Sequence, residues 1–391
     1  MSENNSTDRL KTGISVWGDR HFPAQNIADS CRALVGAGVD AALIPDQITN
    51  FIPRQLWTPE NAPMAAFIPD VDSHSDALMM AGYAAASTSG LEIHVSTDAV
   101  RRPPVETVQA MLTLANMTEG RAVFQVGAGE IKQSKPFGHP TNQGISRMDD
   151  LFQIYRRFVE SSQPITFKGR RWELDRASIG SARTHPAQLW ALGGGPMLSD
   201  YATSYADGII LAVRANAATP EATAARVEDL RAQVAAKGRD PQSFKIGVWA
   251  GVMLHEDSGY IDRAFENPIL KYMTGTLGRI EPSAWRAESL PVPVPENWAY
   301  YKDLLPYEMT DDHVESVVAA VTRDHCDRAW FHGSSVSVAQ QIQPFLENGV
   351  DWVVPIDYLG MVGRPEEAQA SFARSIEVCT ELKRLAGATA G

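Results

Sequence analysis

The chain has 391 residues, is 44% hydrophobic and 21% charged, and carries a net charge of -12. That is enough for one large α/β domain of ordinary globular composition, and it lacks the basic footprint of a general nucleic-acid binder. Three widely spaced cysteines (Cys31, Cys326, Cys379) exclude a disulfide framework and a cysteine-rich zinc site, the polar start MSENNSTDRLK has no signal-peptide core, and no apolar run approaches the ~18 residues of a membrane span. The reading is a soluble cytoplasmic protein.

Along the chain, Lys11–Trp17 alternates apolar residues as a strand does, and Asn26–Gly36 has helical spacing. Val39–Asp46 is a second buried strand, followed by Gln47 and a loop of roughly thirty residues, long enough to serve as a rim loop. Asp76–Ser87 is a small-residue helix, and Leu91–Val95 is a third strand running into Ser96, Thr97 and Asp98. Pro104–Met117 is a helix with proline in its first turn. Ala122–Glu130, AVFQVGAGE, is the strand around which the rest is arranged: an apolar run that ends in two glycines and a carboxylate. Ser146–Val159 is amphipathic with Ser146 as N-cap, and Ile165–Leu174 is a hairpin around Lys168-Gly169.

Gln188–Leu192 is the fifth strand and leads into Gly193-Gly194-Gly195-Pro196; Gly208–Val213 and Phe244–Leu254 are the sixth and seventh. Glu256–Pro306 is a proline-rich excursion, and Val350–Ile356 is the eighth strand. Eight strands, each followed by helix, form the pattern of a (β/α)8 TIM barrel. A doubly wound open sheet fits less well, because no GxGxxG follows the first strand. The expected organisation is a single domain over residues 1–391, with insertions near 50–70, 163–181 and 256–306.

In such a barrel the strand C-termini share one face, where reactive residues collect. Trp17, Asp46-Gln47, Ser96-Thr97, Gly127–Glu130 and Gly193–Gly195 all fall there. Gly193–Gly195 before a helix can receive a phosphate, or can be a tight turn. Glu130 taken alone reads as a cap, and in an apolar pocket it would be a general acid. Asp46 has the same two readings. Trp17 and Trp57 either wall a pocket or fill loop gaps, and Arg214 either holds a substrate anion or is solvated. The histidines show no HxH or HExxH spacing, and neither a GxSxG elbow nor a Walker sequence is present, so metal, hydrolase and kinase chemistry find no support.

Three marks taken together resemble the bacterial luciferase-like flavin and deazaflavin barrel superfamily, in particular its coenzyme F420-dependent oxidoreductases. They are STDAVRRPPVETVQAMLTLANMTEGRAVFQVGAGE, ALGGGP with Asp207-Gly208 downstream, and Pro45-Asp46-Gln47 with FIPRQLWTPE after it. The resemblance implies a deazaflavin across the barrel mouth. Asp46 would touch its ring, Gly127, Ala128, Gly129 and Glu130 would line ring and tail, and Gly193, Gly194 and Gly195 would hold its phosphate. A cis peptide at Val95, Ser96 or Thr97 would back the ring.

The same resemblance makes Glu130 the proton partner of hydride transfer between F420 and a carbonyl, imine or activated alkene, with Asp46 and Gln47 beside it and Trp17, Trp57 and Arg214 toward the substrate. Gln47 stands where sugar-phosphate enzymes of the branch carry a catalytic histidine, so alcohol oxidation by a histidine base is not expected. The alternative in the same fold is an FMN-dependent two-component monooxygenase. A small-molecule substrate and a homodimer formed through helices beside strands two to four are implied; nucleic acid, membrane and metal are not.

Overall fold

The computed structural model describes residues 10–180 and 184–389; the first nine residues and residue 181 of the expected hairpin insertion lie outside them. Eight parallel strands close into a barrel: β1 (Lys11–Ser15), β2 (Ala41–Pro45), β3 (Glu92–Asp98), β4 (Ala122–Gly127), β7 (Gln188–Leu192), β8 (Gly208–Val213), β9 (Lys245–Leu254) and β11 (Trp352–Asp357). Closure comes through β11, which pairs with both β1 and β9. The antiparallel hairpin of β5 (Ile165–Lys168) and β6 (Glu173–Ala177) stands outside the barrel as a separate two-stranded sheet.

The outer layer follows the chain: α1 (Ala24–Gly36), α2 (Ala77–Ser87), α3 (Pro104–Met117), the single turn α4 (Ile131–Ser134), α5 (Gly144–Glu160), α6 (Pro196–Tyr205) and α7 (Pro220–Ala236). Asp76 caps α2, its carboxylate accepting from the Leu78 and Met79 N–H groups at 2.9 and 3.0 Å. Gly238, at φ +72, ends α7 as a left-handed stop. Ser146 lies inside α5 rather than at its cap: its hydroxyl bonds back to the Gln143 carbonyl, and the helix already begins at Gly144.

After β9 the chain leaves the barrel through α8 (Ser258–Phe265), α9 (Pro268–Leu277), α10 (Ala284–Ala287), α11 (Tyr300–Asp303), α12 (Asp311–Ala320) and α13 (Arg323–Ala329). It returns through the short strand β10 (Phe331–Gly333), which pairs with the end of β9, and α14 (Ser335–Leu346) leads to β11. The turn α15 (Leu359–Val362) and the long helix α16 (Pro365–Thr389) complete the chain.

The excursion and the rim loop after β2 share their own core, which includes Ile52, Leu56, Tyr272, Trp285, Trp298 and Trp330. They form a roof over one side of the barrel mouth, and the main core lies between strands and outer helices. The barrel floor is filled by a third set in which large rings face small residues. Trp352 stacks on His94 with ring centroids 4.7 Å apart, and Trp190 meets Trp352 edge-on at 6.2 Å. A Cβ on Gly13 would come within 2.6 Å of the Trp352 ring, and one on Gly247 within 3.0 Å of Trp190 and 3.1 Å of Trp352, so glycine is what admits the indoles.

Candidate functional site

The C-terminal strand ends converge as the sequence pattern implies, but the charges there are arranged differently. Asp46, immediately after β2, is 5% exposed. Its Oδ2 accepts from the Thr97 hydroxyl at 2.8 Å and from Arg101 at 3.0 Å, and Arg102 closes on the same oxygen. Arg101 also pairs with Asp98, and Arg102 reaches Asp76 at 3.1 Å. Burial alone would raise the Asp46 carboxyl; the two guanidinium charges and the Thr97 bond overcome it and hold the group below its usual range. In place of a carboxylate open to the mouth, Asp46 is thus the centre of a buried ion cluster.

Val95 points into the strand–helix core, and Ser96 and Thr97 continue the ladder opposite Gln125 and Val126. The expected cis peptide at Val95, Ser96 or Thr97 is absent: every peptide bond among the described residues is trans. The trans backbone keeps the Ser96 carbonyl in register, where it accepts from the Asp46 N–H at 2.7 Å. Gln47, partly exposed, accepts from Arg20 through its carbonyl at 2.9 Å.

At the end of β4, Gly129 has φ +88, and a Cβ there would meet Val100 at 3.0 Å. Ala128 is backed by Gly144, where a Cβ would fall 1.8 Å from the Ala128 carbonyl oxygen. This turn delivers Glu130 to the N-cap position of α4, yet its side chain makes no capping bond. The carboxylate turns instead to Lys132, with Nζ 2.7 Å from Oε2; the glutamate side chain is 28% exposed and the lysine fully buried. Sequence reasoning missed Lys132. An i,i+2 pair across a loop has no periodic signature, whereas the Arg101-Arg102 doublet just after Asp98 was at least visible as consecutive charges at a strand end.

At the fifth strand end, Gly193 has φ +130, and its N–H donates to the Ile210 carbonyl at 3.2 Å. Gly195 occupies the N-cap of α6, and a Cβ there would meet nothing within 4 Å. The first N–H groups of a helix have no partner within it. Pro196, the first residue of α6, has no N–H, the Gly193 N–H is engaged, and a Cβ on Gly194 would meet Asn216 at 3.1 Å, so the donors that could receive a phosphate are the N–H groups of Gly194 and Gly195 and those after Pro196.

The aromatic candidates border the mouth from two sides. Trp57 donates its indole N–H to the Ile68 carbonyl at 2.8 Å, and Phe51, Trp57 and Tyr300 each pack against the roof core. Trp17 packs edge-on against His21 and His74 at 5.1 and 5.2 Å, and its indole nitrogen, although buried, has no hydrogen-bond partner. Burial first, then the nearby Arg20 charge, pushes His21 down to about 4, so it is neutral at neutral pH. Asp357, at the end of β11, is pushed up to about 7 by burial despite bonds from Ser371, Leu359 and Leu254.

Arg214 lies apart from this group. Its guanidinium sits 3.9 Å over the Phe331 ring and donates to the Asp327 carbonyl at 2.9 Å, tying the returning excursion to β8. Arg279 likewise pairs with Glu288 at 2.6 Å, and Lys271 with Glu266. Among the described residues no group of three or more His, Cys, Asp or Glu side chains is placed to hold a metal ion.

The profile of the family described as luciferase-like monooxygenase matches residues 10–351. The phthiodiolone/phenolphthiodiolone dimycocerosates ketoreductase of Mycobacterium kansasii is 26% identical over 375 residues, 94% of this chain and 100% of that protein. The F420-dependent glucose-6-phosphate dehydrogenase of Kineococcus radiotolerans is 28% identical over 207 residues, 51% of this chain and 56% of that one. In structure, an F420-dependent secondary alcohol dehydrogenase in complex with an F420-acetone adduct superposes with TM-score 0.69 at 20% identity, covering 96% of this chain and 99% of the other. A long-chain alkane monooxygenase superposes with TM-score 0.62 at 16% identity, covering 96% and 91%.

Proposed function

For a chain that belongs to the luciferase-like monooxygenase family, we propose a coenzyme F420-dependent oxidoreductase that exchanges a hydride with an uncharged carbonyl, imine or activated alkene. The observation that carries this reading is Glu130, a carboxyl group that caps nothing and stands at the mouth beside the Gly127–Gly129 turn. The names of the relatives, a ketoreductase and an F420-dependent dehydrogenase, support the cofactor and the reaction class. An uncharged substrate is favoured because Arg214, Arg279 and Lys271 are each engaged elsewhere, and because aromatic rings border the mouth.

When bound, F420 would supply or accept the hydride; Gly193–Gly195 and the start of α6 would hold its phosphate, and the Gly127–Gly129 backbone would allow its close approach. In the oxidative direction the carbon bearing a substrate hydroxyl would give its hydride away, and the hydroxyl its proton to the Glu130 carboxylate, which the structure holds beside the Lys132 ammonium. In the reductive direction Glu130, 28% exposed, would first take a proton from solvent. The carbonyl carbon would receive the hydride, its π pair would move onto oxygen, and that proton would pass to the oxygen, leaving the carboxylate again.

The test is a paired titration of the purified protein with F420 and FMN. Micromolar or tighter binding of F420 with no response to FMN supports the reading; the reverse result moves the assignment to the two-component FMN monooxygenase represented among the structural neighbours. Glu130→Gln should lower turnover by about 10²-fold, the scale of a lost general acid, with F420 affinity unchanged. Equal loss of both would make Glu130 structural. We propose in addition a cytoplasmic homodimer formed through α2, which presents Met79 and Tyr83 to solvent; no helix among the described residues is long and apolar enough to cross a membrane.

A further inference from the structure

A lysine ammonium removed from water must place all three of its protons. Lys132 is fully buried: its ammonium donates a hydrogen bond to the Thr49 carbonyl at 3.1 Å, forms an ion pair with Glu130 Oε2 at 2.7 Å, and lies 4.6 Å over the face of the Phe51 ring. The neighbouring Gln133 locks the same loop, its amide donating to the Thr49 carbonyl at 2.7 Å and accepting from the Ile48 N–H at 2.8 Å. From the roof, α11 packs on α4, and Asp72 lies near enough for the lysine charge to act on it. The oxygen of Glu130 that faces the cation is Oε2, and among the described residues no hydrogen bond is formed to Oε1.

We infer that Lys132 is a positioning residue for the proton partner: it fixes the Glu130 carboxyl by Oε2, presents Oε1 to the ligand, and compensates the negative charge that remains when the proton has moved to substrate oxygen. This rests on the reading of Glu130 given above. A charge that appears in a closed site is stabilised best by a dipole or ion already in place, and Lys132 is in place before any ligand arrives. Its contribution belongs to the proton-transfer step and not to binding.

A double-mutant cycle of K132M and E130Q tests this, read by steady-state kinetics, F420 titration and NMR of the lysine ammonium groups in ¹⁵N-labelled protein without cofactor. The expected K132M phenotype is a kcat lowered about tenfold or more, with KM and F420 affinity within about twofold, the split that marks an interaction made in the transition state. The double variant should be no worse than E130Q alone. The wild type should show an exchange-protected ammonium signal that moves in E130Q. Multiplying losses in the double variant, equal loss of kcat and affinity, or a wild type without a protected ammonium overturns the inference, and the NMR arm decides even if K132M does not fold. If E130Q keeps full turnover, the proton role of Glu130 falls; if E130Q loses turnover while K132M keeps its kcat, only the part given to Lys132 falls.

Discussion

Single side chains at the two ends of the barrel show opposite uses of charge. At the floor, burial alone would raise the Glu92 carboxyl, but bonds from His94 at 3.1 Å and from Lys11 hold it down at about 2. Its folded value thus lies below the ordinary 4.5. The stabilisation is fully present above pH 4.5 and is lost as pH falls from there through about 2. Glu92→Gln should therefore cost about 1–3 kcal/mol in urea unfolding at pH 6, and the gap to wild type should narrow below pH 4.5 and close only as pH falls through about 2. A gap that is constant across pH would mean that shape, and not charge, explains the loss. At the mouth, Glu130 was legible from its place after a glycine pair. Its partner Lys132 was not, because contacts two residues apart across a turn leave no periodic trace. Asp46 was legible as a strand-end acid, but its commitment to Arg101 and Arg102 depends on how a loop folds back, which spacing does not encode.

At the scale of elements, the eight barrel strands were readable because a strand covered on both faces is a nearly continuous apolar run; β4 is buried at every position. The three-residue strand β10 was not readable, since three residues carry no period. The spacing over 311–322 reads as a helix, and α12 lies there, whereas the seven-residue α13 is too short to show a period. What the pattern did not reveal is that α12 packs on α9, where a Cβ on Gly275 would meet Val317 at 2.7 Å. Two joints between elements give predictions. Gly144→Ala would drive a methyl group into the Ala128 carbonyl; it should cost about 1–3 kcal/mol, as overpacking does, and weaken F420 binding, because the displaced turn carries Gly129 and Glu130. Unchanged urea midpoint and affinity would show that the turn gives way freely. Arg214→Ala removes the bond to the Asp327 carbonyl and the contact with Phe331, so trypsin should cut between 256 and 330 several-fold faster while the barrel fragment survives. An unaltered cleavage pattern would mean that the roof core alone secures the excursion.

For the molecule as a whole, the apolar side chains of α2 are the test of assembly. Met79 is 76% exposed and Tyr83 41%, on a helix whose other residues are small apart from Leu78 and Met80. Sedimentation should give twice the 42.7 kDa chain mass, and M79E combined with Y83E should give the single-chain mass without loss of fold. A wild type that sediments as one chain removes the dimer.

The packed floor beneath the mouth also governs traffic. With Trp190, Trp352 and His94 filling the lower end, the barrel is a cup and not a pipe, and whatever reaches Glu130 arrives and departs through the rim. Two guests sharing one doorway form a queue: the one seated deeper goes in first and comes out last. Substitutions in the rim loop and the excursion that flank the opening should therefore change residence times more than substitutions in the strands below.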